Sequence, residues 1–147
     1  MKKVLLTAAL IIGVIIVMLV LSCKTGLRDM DERYKRLYDA NTGLDLTGAG
    51  AYIVKDGDTL SDISRRAYND SFYYPVIMLA SRGVVINPDK IKPGMTLTIP
   101  DLEKNIASSK SRRSMKNCLH GFANIEKTKL SPNQALIDGF RKRADEL

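Results

Sequence analysis

Asp56, Asp58 and Asp62 fall within seven residues, and their side chains are of a type suited to acid–base work. Two carboxylates set across a sugar cleave a glycosidic bond, one acting as acid and the other as base or nucleophile. The surrounding residues assign these three a different task. Asp56-Gly57-Asp58 is turn chemistry, and Thr59 followed by Asp62 resembles a helix-capping pair with Asp in place of Glu. Aspartate is favoured at both positions by local hydrogen bonding and by the helix dipole. The second candidate group is Cys118 with His120, the one histidine of the chain. Residues two apart on a helix point about 200° away from each other, so they cannot form a nucleophile–base pair. A metal site needs three or four convergent ligands, and that clustering is absent from the sequence. Catalysis, a cofactor and a metal are therefore not expected, and Cys118 reads as a small apolar helix residue.

The elements that carry these residues are short. Ala51 to Val54 is apolar and partly β-branched and predicts a strand. The turn at Asp56-Gly57-Asp58 ends it, and Leu60, Ile63 and Ala67 recur at helical spacing over about Leu60 to Tyr68. Asn69-Asp70-Ser71 breaks that helix. Pro75 suits the first turn of a second one, which runs through about Ser81 and stops at Arg82-Gly83. Pro93-Gly94 fits the central pair of a type II turn. Met95 to Pro100 then alternates as a closing strand, with Leu97 and Ile99 inward and Thr96 and Thr98 outward. The order is strand, helix, helix, strand. Two strands alone are unstable in water, so both helices must cover the sheet. The expected core is Ile53, Leu60, Ile63, Ala67 and Tyr74 from the first half, with Ile77, Ala80, Ile91, Leu97 and Ile99 from the second.

Tyr52-Ile53-Val54-Lys55-Asp56-Gly57-Asp58-Thr59-Leu60, then Tyr74-Pro75-Val76-Ile77, then Ile91 to Pro100, in this order and at this separation, resemble a LysM domain. Ser61 and Ser81 depart from the family, which often has Trp and Asn there. The resemblance implies an α+β fold, a two-stranded antiparallel sheet covered by two helices, and binding of N-acetylglucosamine-containing polymers, in bacteria peptidoglycan. It also implies a shallow groove lined by Gly57, Asp58, Thr59 and Leu60 on one side and by Asn87, Pro88 and Ile91 on the other. Backbone groups at Gly57 and Thr59 suit the polar atoms of an acetylated sugar, and Leu60 and Ile91 suit its methyl group and ring face. The same residues also have purely structural uses, in the turn, the cap and the core.

The rest of the chain divides into an N-terminal segment (1–22), a polar spacer with a possible short helix (23–50), the LysM-like domain (51–101) and a basic helical tail (102–147). Lys2-Lys3 precedes an uncharged, largely apolar run from Val4 to Leu21, long enough for either an export signal or a membrane-spanning helix. Val20-Leu21-Ser22-Cys23 resembles a lipobox, which implies lipidation of Cys23. An uncleaved single-pass anchor and a plain cleaved signal remain the alternatives. The first two readings place residues 24–147 outside the cytoplasm in the cell envelope, with Lys2 and Lys3 on the cytoplasmic side.

Asn41 to Gly50 reads as a flexible spacer. Of the net charge of +7, the tail holds +4 and residues 51–100 only +1. A nearly neutral domain is a poor reader of nucleic acid, which needs clustered cations. The tail is expected to form two helices. Met115, Leu119, Phe122 and Ile125 share a face of the first; Ser131-Pro132 starts the second, whose strip is Ala135, Leu136, Gly139 and Phe140. Arg112, Arg113, Lys116 and Arg141 to Arg143 suit either a solvated surface or contact with anionic membrane or wall polymers. Val76 to Ala80 is apolar on every side, so its outer face must be covered, by the tail strip or by a homodimer contact. Two functions follow: a non-catalytic tether between membrane and peptidoglycan, or an envelope scaffold without glycan affinity that acts through its tail and protein partners.

Overall fold

Alternation and turn chemistry set the sheet. In the computed structural model, which describes residues 29–147, Gly50–Ile53 (β1) pairs antiparallel with Thr96–Ile99 (β2), Tyr52 facing Leu97 and Ile53 facing Thr96. Beyond the paired residues the ladder continues: the Val54 amide donates to the Met95 carbonyl at 2.8 Å, and the Gly94 amide to that of Val54 at 2.8 Å. The Pro93-Gly94 turn is type II as expected, with Gly94 at φ +87° and the Met95 amide donating to the Lys92 carbonyl. This register corrects one expected core residue. Residues directly opposite share a face, so Ile53 joins Thr96 on the outer side and is 62% exposed, while Val54 takes the inner place.

Leu60–Tyr68 (α2) starts and stops as its sequence dictates. The Thr59 side chain accepts from the Asp62 amide, and Asn69 closes the helix in the left-handed conformation at φ +56°. Leu60, Ile63 and Ser64 are buried, whereas Ala67, one turn further along that stripe, is exposed. A single 3-10 turn, Ser71–Tyr73, leads into Tyr74–Ala80 (α3) with Pro75 in its first turn. A second 3-10 turn, Pro88–Lys90, precedes β2. Ala80, Ile91 and Ile99, also expected in the core, are only half-buried.

Both faces of α3 are occupied. β2 covers one and the tail covers the other, so Val76, Ile77 and Met78 are fully buried and Leu79 is 1% exposed. The cover expected from tail or homodimer comes from the chain's own tail. That tail has three helices rather than two: Leu102–Ala107 (α4), Ser109–Glu126 (α5) and Gln134–Asp145 (α6). Asp101 caps α4 and Ser108 caps α5, local signals that the longer apolar periodicity of α5 obscures. Met115, Leu119, Phe122 and Ile125 are buried together as expected. On α6 the cap is Asn133 rather than Ser131, and the buried stripe is Ile137, Phe140 and Ala144. Of the expected α6 strip only Phe140 is in the core; Gly139 lies against the Phe72 ring.

The residues between 33 and 50 belong to this same packing. A helix over 29–39 (α1) buries Tyr34 and Tyr38, each 1% exposed, against Phe122. The stretch expected as a flexible spacer is tied down. The Ser111 hydroxyl donates to the Gly43 carbonyl, the Gly43 amide donates to Ser114 Oγ, and the Asn105 side chain bonds both backbone groups of Asp45. A Cβ at Gly43 would collide with Ser114, which is why this contact needs glycine. Residues 33–147 form one compact unit. The Val4–Leu21 run and Cys23 lie outside the described residues.

Candidate binding cleft

One wall of the cleft is the turn between β1 and α2. The Asp58 amide donates to the Lys55 carbonyl at 3.2 Å, and Gly57 at φ +77° supplies the left-handed residue that this turn needs. The Asp58 carboxylate accepts from the Lys55 amide at 2.9 Å, the Tyr52 hydroxyl at 2.7 Å and Arg66 at 2.5 Å. These donors, the Lys55 amide foremost, hold its carboxyl down at about 2. Arg66 also stacks over the Tyr52 ring, 5.5 Å from its centre. The Thr59 hydroxyl accepts from the Asp62 amide and donates to the Asp62 carboxylate, completing the capping pair.

The opposite wall is the Pro88–Lys90 turn. Asn87 is buried, and its side-chain oxygen accepts from the Asp89 amide at 3.0 Å. Elements outside the two strands and two helices hold this wall. The Tyr38 hydroxyl of α1 donates to the Ile86 carbonyl at 2.9 Å, and Lys129, between α5 and α6, reaches the Asp89 carboxylate at 3.3 Å while pairing with Glu126 at 2.8 Å.

Between the walls lies a cavity of about 250 Å³ lined by Asp58, Thr59, Leu60, Ser61, Tyr74, Pro88, Asp89 and Ile91. Tyr74 packs edge-on against Phe122 and Phe140 of the tail, at 5.8 and 5.3 Å between ring centres. Burial raises its phenol well above the ordinary value. Of the seven residues expected at this site, Asp58, Thr59, Leu60, Pro88 and Ile91 come together. Gly57 shapes the turn and Asn87 caps the second wall; neither lines the cavity. Sequence reasoning did not assign Ser61, Tyr74 or Asp89 to it. Ser61 and Asp89 adjoin expected lining residues, so proximity in sequence was a usable signal, whereas Tyr74 read as core and its placement depends on the tail. Ser81, the other departure from the family pattern, is 1% exposed and accepts from the Thr98 amide at 2.9 Å, fastening α3 to β2.

A cavity that sets Leu60, Pro88 and Ile91 among two carboxylates, two hydroxyls and a tyrosine suits a neutral polyhydroxy ligand. Comparison with known proteins supplies the family: residues 52–100 match the LysM domain model. Residues 52–100 are a LysM domain. Such domains are binding modules for glycans and are generally non-catalytic. The chain is also similar to the potassium binding protein Kbp of Escherichia coli, with 36% identity over 77 residues, 52% of this chain and 48% of that protein. An uncharacterized protein of Deinococcus radiodurans is 44% identical over 54 residues, 37% of this chain and 21% of that one. The chain thus aligns with about half of the first relative's length and a fifth of the second's. Within the structure the LysM domain does not stand apart, because α3 and the second cleft wall are packed by α1 and the tail.

Cys118 and His120 are separated as helix geometry requires. Cys118 is fully buried and its thiol donates weakly to the Pro75 carbonyl at 3.5 Å; burial pushes that thiol far up. His120 is half-exposed, 3.6 Å from Asp145.

Proposed function

We propose that this protein binds the glycan strands of peptidoglycan in the cleft between residues 58–61 and 88–91, without cleaving them, and that its N-terminal segment holds it at a membrane. The observation that carries the glycan reading is this cleft within a matched LysM domain. An acetamido methyl and a sugar ring face suit Leu60, Ile91 and Pro88, while hydroxyls suit Thr59, Ser61 and Asp89. Cleavage would need a carboxyl that keeps a proton near neutral pH. Asp58, held ionised by three donors, is not that acid.

Sedimentation with purified peptidoglycan tests the reading. The full chain is expected to be retained at moderate salt and to release no soluble muropeptides. No retention would refute glycan binding and leave the scaffold function. Anchoring is decided separately by the mass of the mature N-terminus: a diacylglyceryl group on Cys23 identifies a lipoprotein, and an intact Met1 a single-pass anchor.

A second reading has one observation in its favour. The similarity to the E. coli potassium binding protein covers 77 residues, at least 28 more than the 49 of the LysM match, so it extends beyond the shared domain. A potassium response is tested by melting the protein in potassium and in sodium chloride at equal ionic strength. A rise in melting temperature specific to potassium supports it; identical curves remove it.

A further inference from the structure

The outward face of α5 is cationic along its first three turns. On an 18-residue helix with a 3.6-residue period, Lys110, Arg113, Lys116, Asn117 and His120 fall within one arc, opposite the buried Ser114, Met115, Cys118 and Phe122. Lys110 and Arg113 are exposed and Lys116 is half-exposed, and none of the three has an ion-pair partner among the described residues. The helix carries a single carboxylate, Glu126, which is buried and paired with Lys129. Asp145, beside His120, is the acidic group at the far end of the stripe.

This placement runs against the needs of the helix. The N-terminal end of a helix carries partial positive charge and favours Asp or Glu, yet the first turn of α5 has no acidic residue and Lys110, Arg112 and Arg113 crowd it. Arg112 satisfies itself locally by donating to the Ile106 carbonyl at 2.9 Å. The α5 N-terminus is already capped by Ser108, so the feature is the exposed side of the helix rather than its tip. Cations that neither stabilise their helix nor pair with neighbours are free to meet an anionic surface.

We propose that the Lys110–Arg113–Lys116 face of α5 docks on an anionic phospholipid bilayer. Charge complementarity favours that occupant, and the sequence supplies a second reason. Arg33, where the compact unit begins, is twelve residues after the Val4–Leu21 run, a contour length of about 40 Å at most. The choice of a lipid surface therefore rests on the proposed membrane anchoring. A tether this short keeps the unit near the bilayer at high effective concentration, where each cation strengthens surface association about fivefold.

The test uses the full chain in lipid nanodiscs, of phosphatidylcholine alone or with part of it replaced by phosphatidylglycerol. Lysines are labelled with an amine-reactive reagent and labelling is read by mass spectrometry. Lys110 and Lys116 are expected to label several-fold more slowly on the anionic discs than on the neutral ones, with Lys55 and Lys142 unchanged. High salt and the variant R113Q should each weaken that protection. Retention on anionic discs but not neutral ones, with the same protection, would uphold the docking face and refute the anchor. Equal labelling of Lys110 and Lys116 on both disc types, or failure of the chain to bind either, overturns the proposal. Unchanged melting of R113Q shows that any loss of protection is not unfolding.

Discussion

Phe122→Ala is the most informative single change, because one buried ring joins three parts of the chain. Phe122 is 1% exposed, and its ring centre lies 5.0 Å from that of Tyr34 and 6.2 Å from that of Tyr38, both in α1. The same ring lies 5.8 Å from Tyr74 in the LysM domain and 5.9 Å from Phe140 in α6. Truncating a fully buried Phe to Ala costs about 3–5 kcal/mol in lost transfer energy and cavity formation. Four ring contacts, two of them near-perpendicular, place the cost toward the upper end, at about 4–5 kcal/mol. Small domains hold about 5–15 kcal/mol in total, so this change removes a large share. For a unit of this size, about 4 °C per kcal/mol gives a fall in melting temperature of about 16–20 °C. Differential scanning calorimetry is the assay. If residues 33–147 fold as one unit, the variant melts in a single transition with calorimetric and van't Hoff enthalpies equal. Two transitions, with that of the LysM domain unmoved, would show that the domain is independent of the tail and refute the coupling argued from Tyr74 and α3.

Other expectations are as concrete. Gly139→Ala, which at an exposed helix site adds ~1 kcal/mol, should instead destabilise by about 1–2 kcal/mol, because the new Cβ would stand 2.7 Å from Phe72 Cζ and closer to two other ring carbons; a raised melting temperature would contradict it. Asp58 has its folded-state pKa depressed to about 2 from the ordinary 3.8, so the stability it adds is present above about pH 4 and lost as pH falls toward 2. Urea melts from neutral to acid pH should show this loss in the native protein and a flatter acid limb in Asp58→Asn. Ile91→Ser, which removes apolar area from the cleft, should weaken titrated binding of an N-acetylglucosamine oligomer about tenfold without changing the melt by more than ~1 kcal/mol. Lys129→Met frees Asp89 at the rim and should weaken the same binding about threefold, the scale of a partly exposed ion pair; unchanged affinity would remove the tail from the site.

Local chemistry made much of the LysM fold legible in the sequence. A strand ended by Asp-Gly-Asp, a helix capped by Thr59, Pro75 in a first helical turn and Pro93-Gly94 in a type II turn are each fixed by a few neighbouring residues, and each appears in the structure as read. The all-round apolar pattern of Val76 to Ala80 correctly demanded a second cover. What could not be read locally was decided by distant partners. Ile53 faces outward because its register against Thr96 puts it there, a fact residing in the other strand. Asn41 to Gly50 has the composition of a spacer, yet hydrogen bonds to Asn105, Ser111 and Ser114, more than sixty residues away in most cases, hold it in place. Tyr74 reads as core from its own spacing and is buried at 7% exposure, yet it also lines the cleft while its ring packs edge-on against Phe122 and Phe140. The sequence by itself determined the turns, caps and domain family, because these depend on φ preferences and short-range hydrogen bonds. Only the tertiary structure decided that the cleft's second wall is held by α1 and by Lys129, because burial and ion pairing join residues that no local pattern connects.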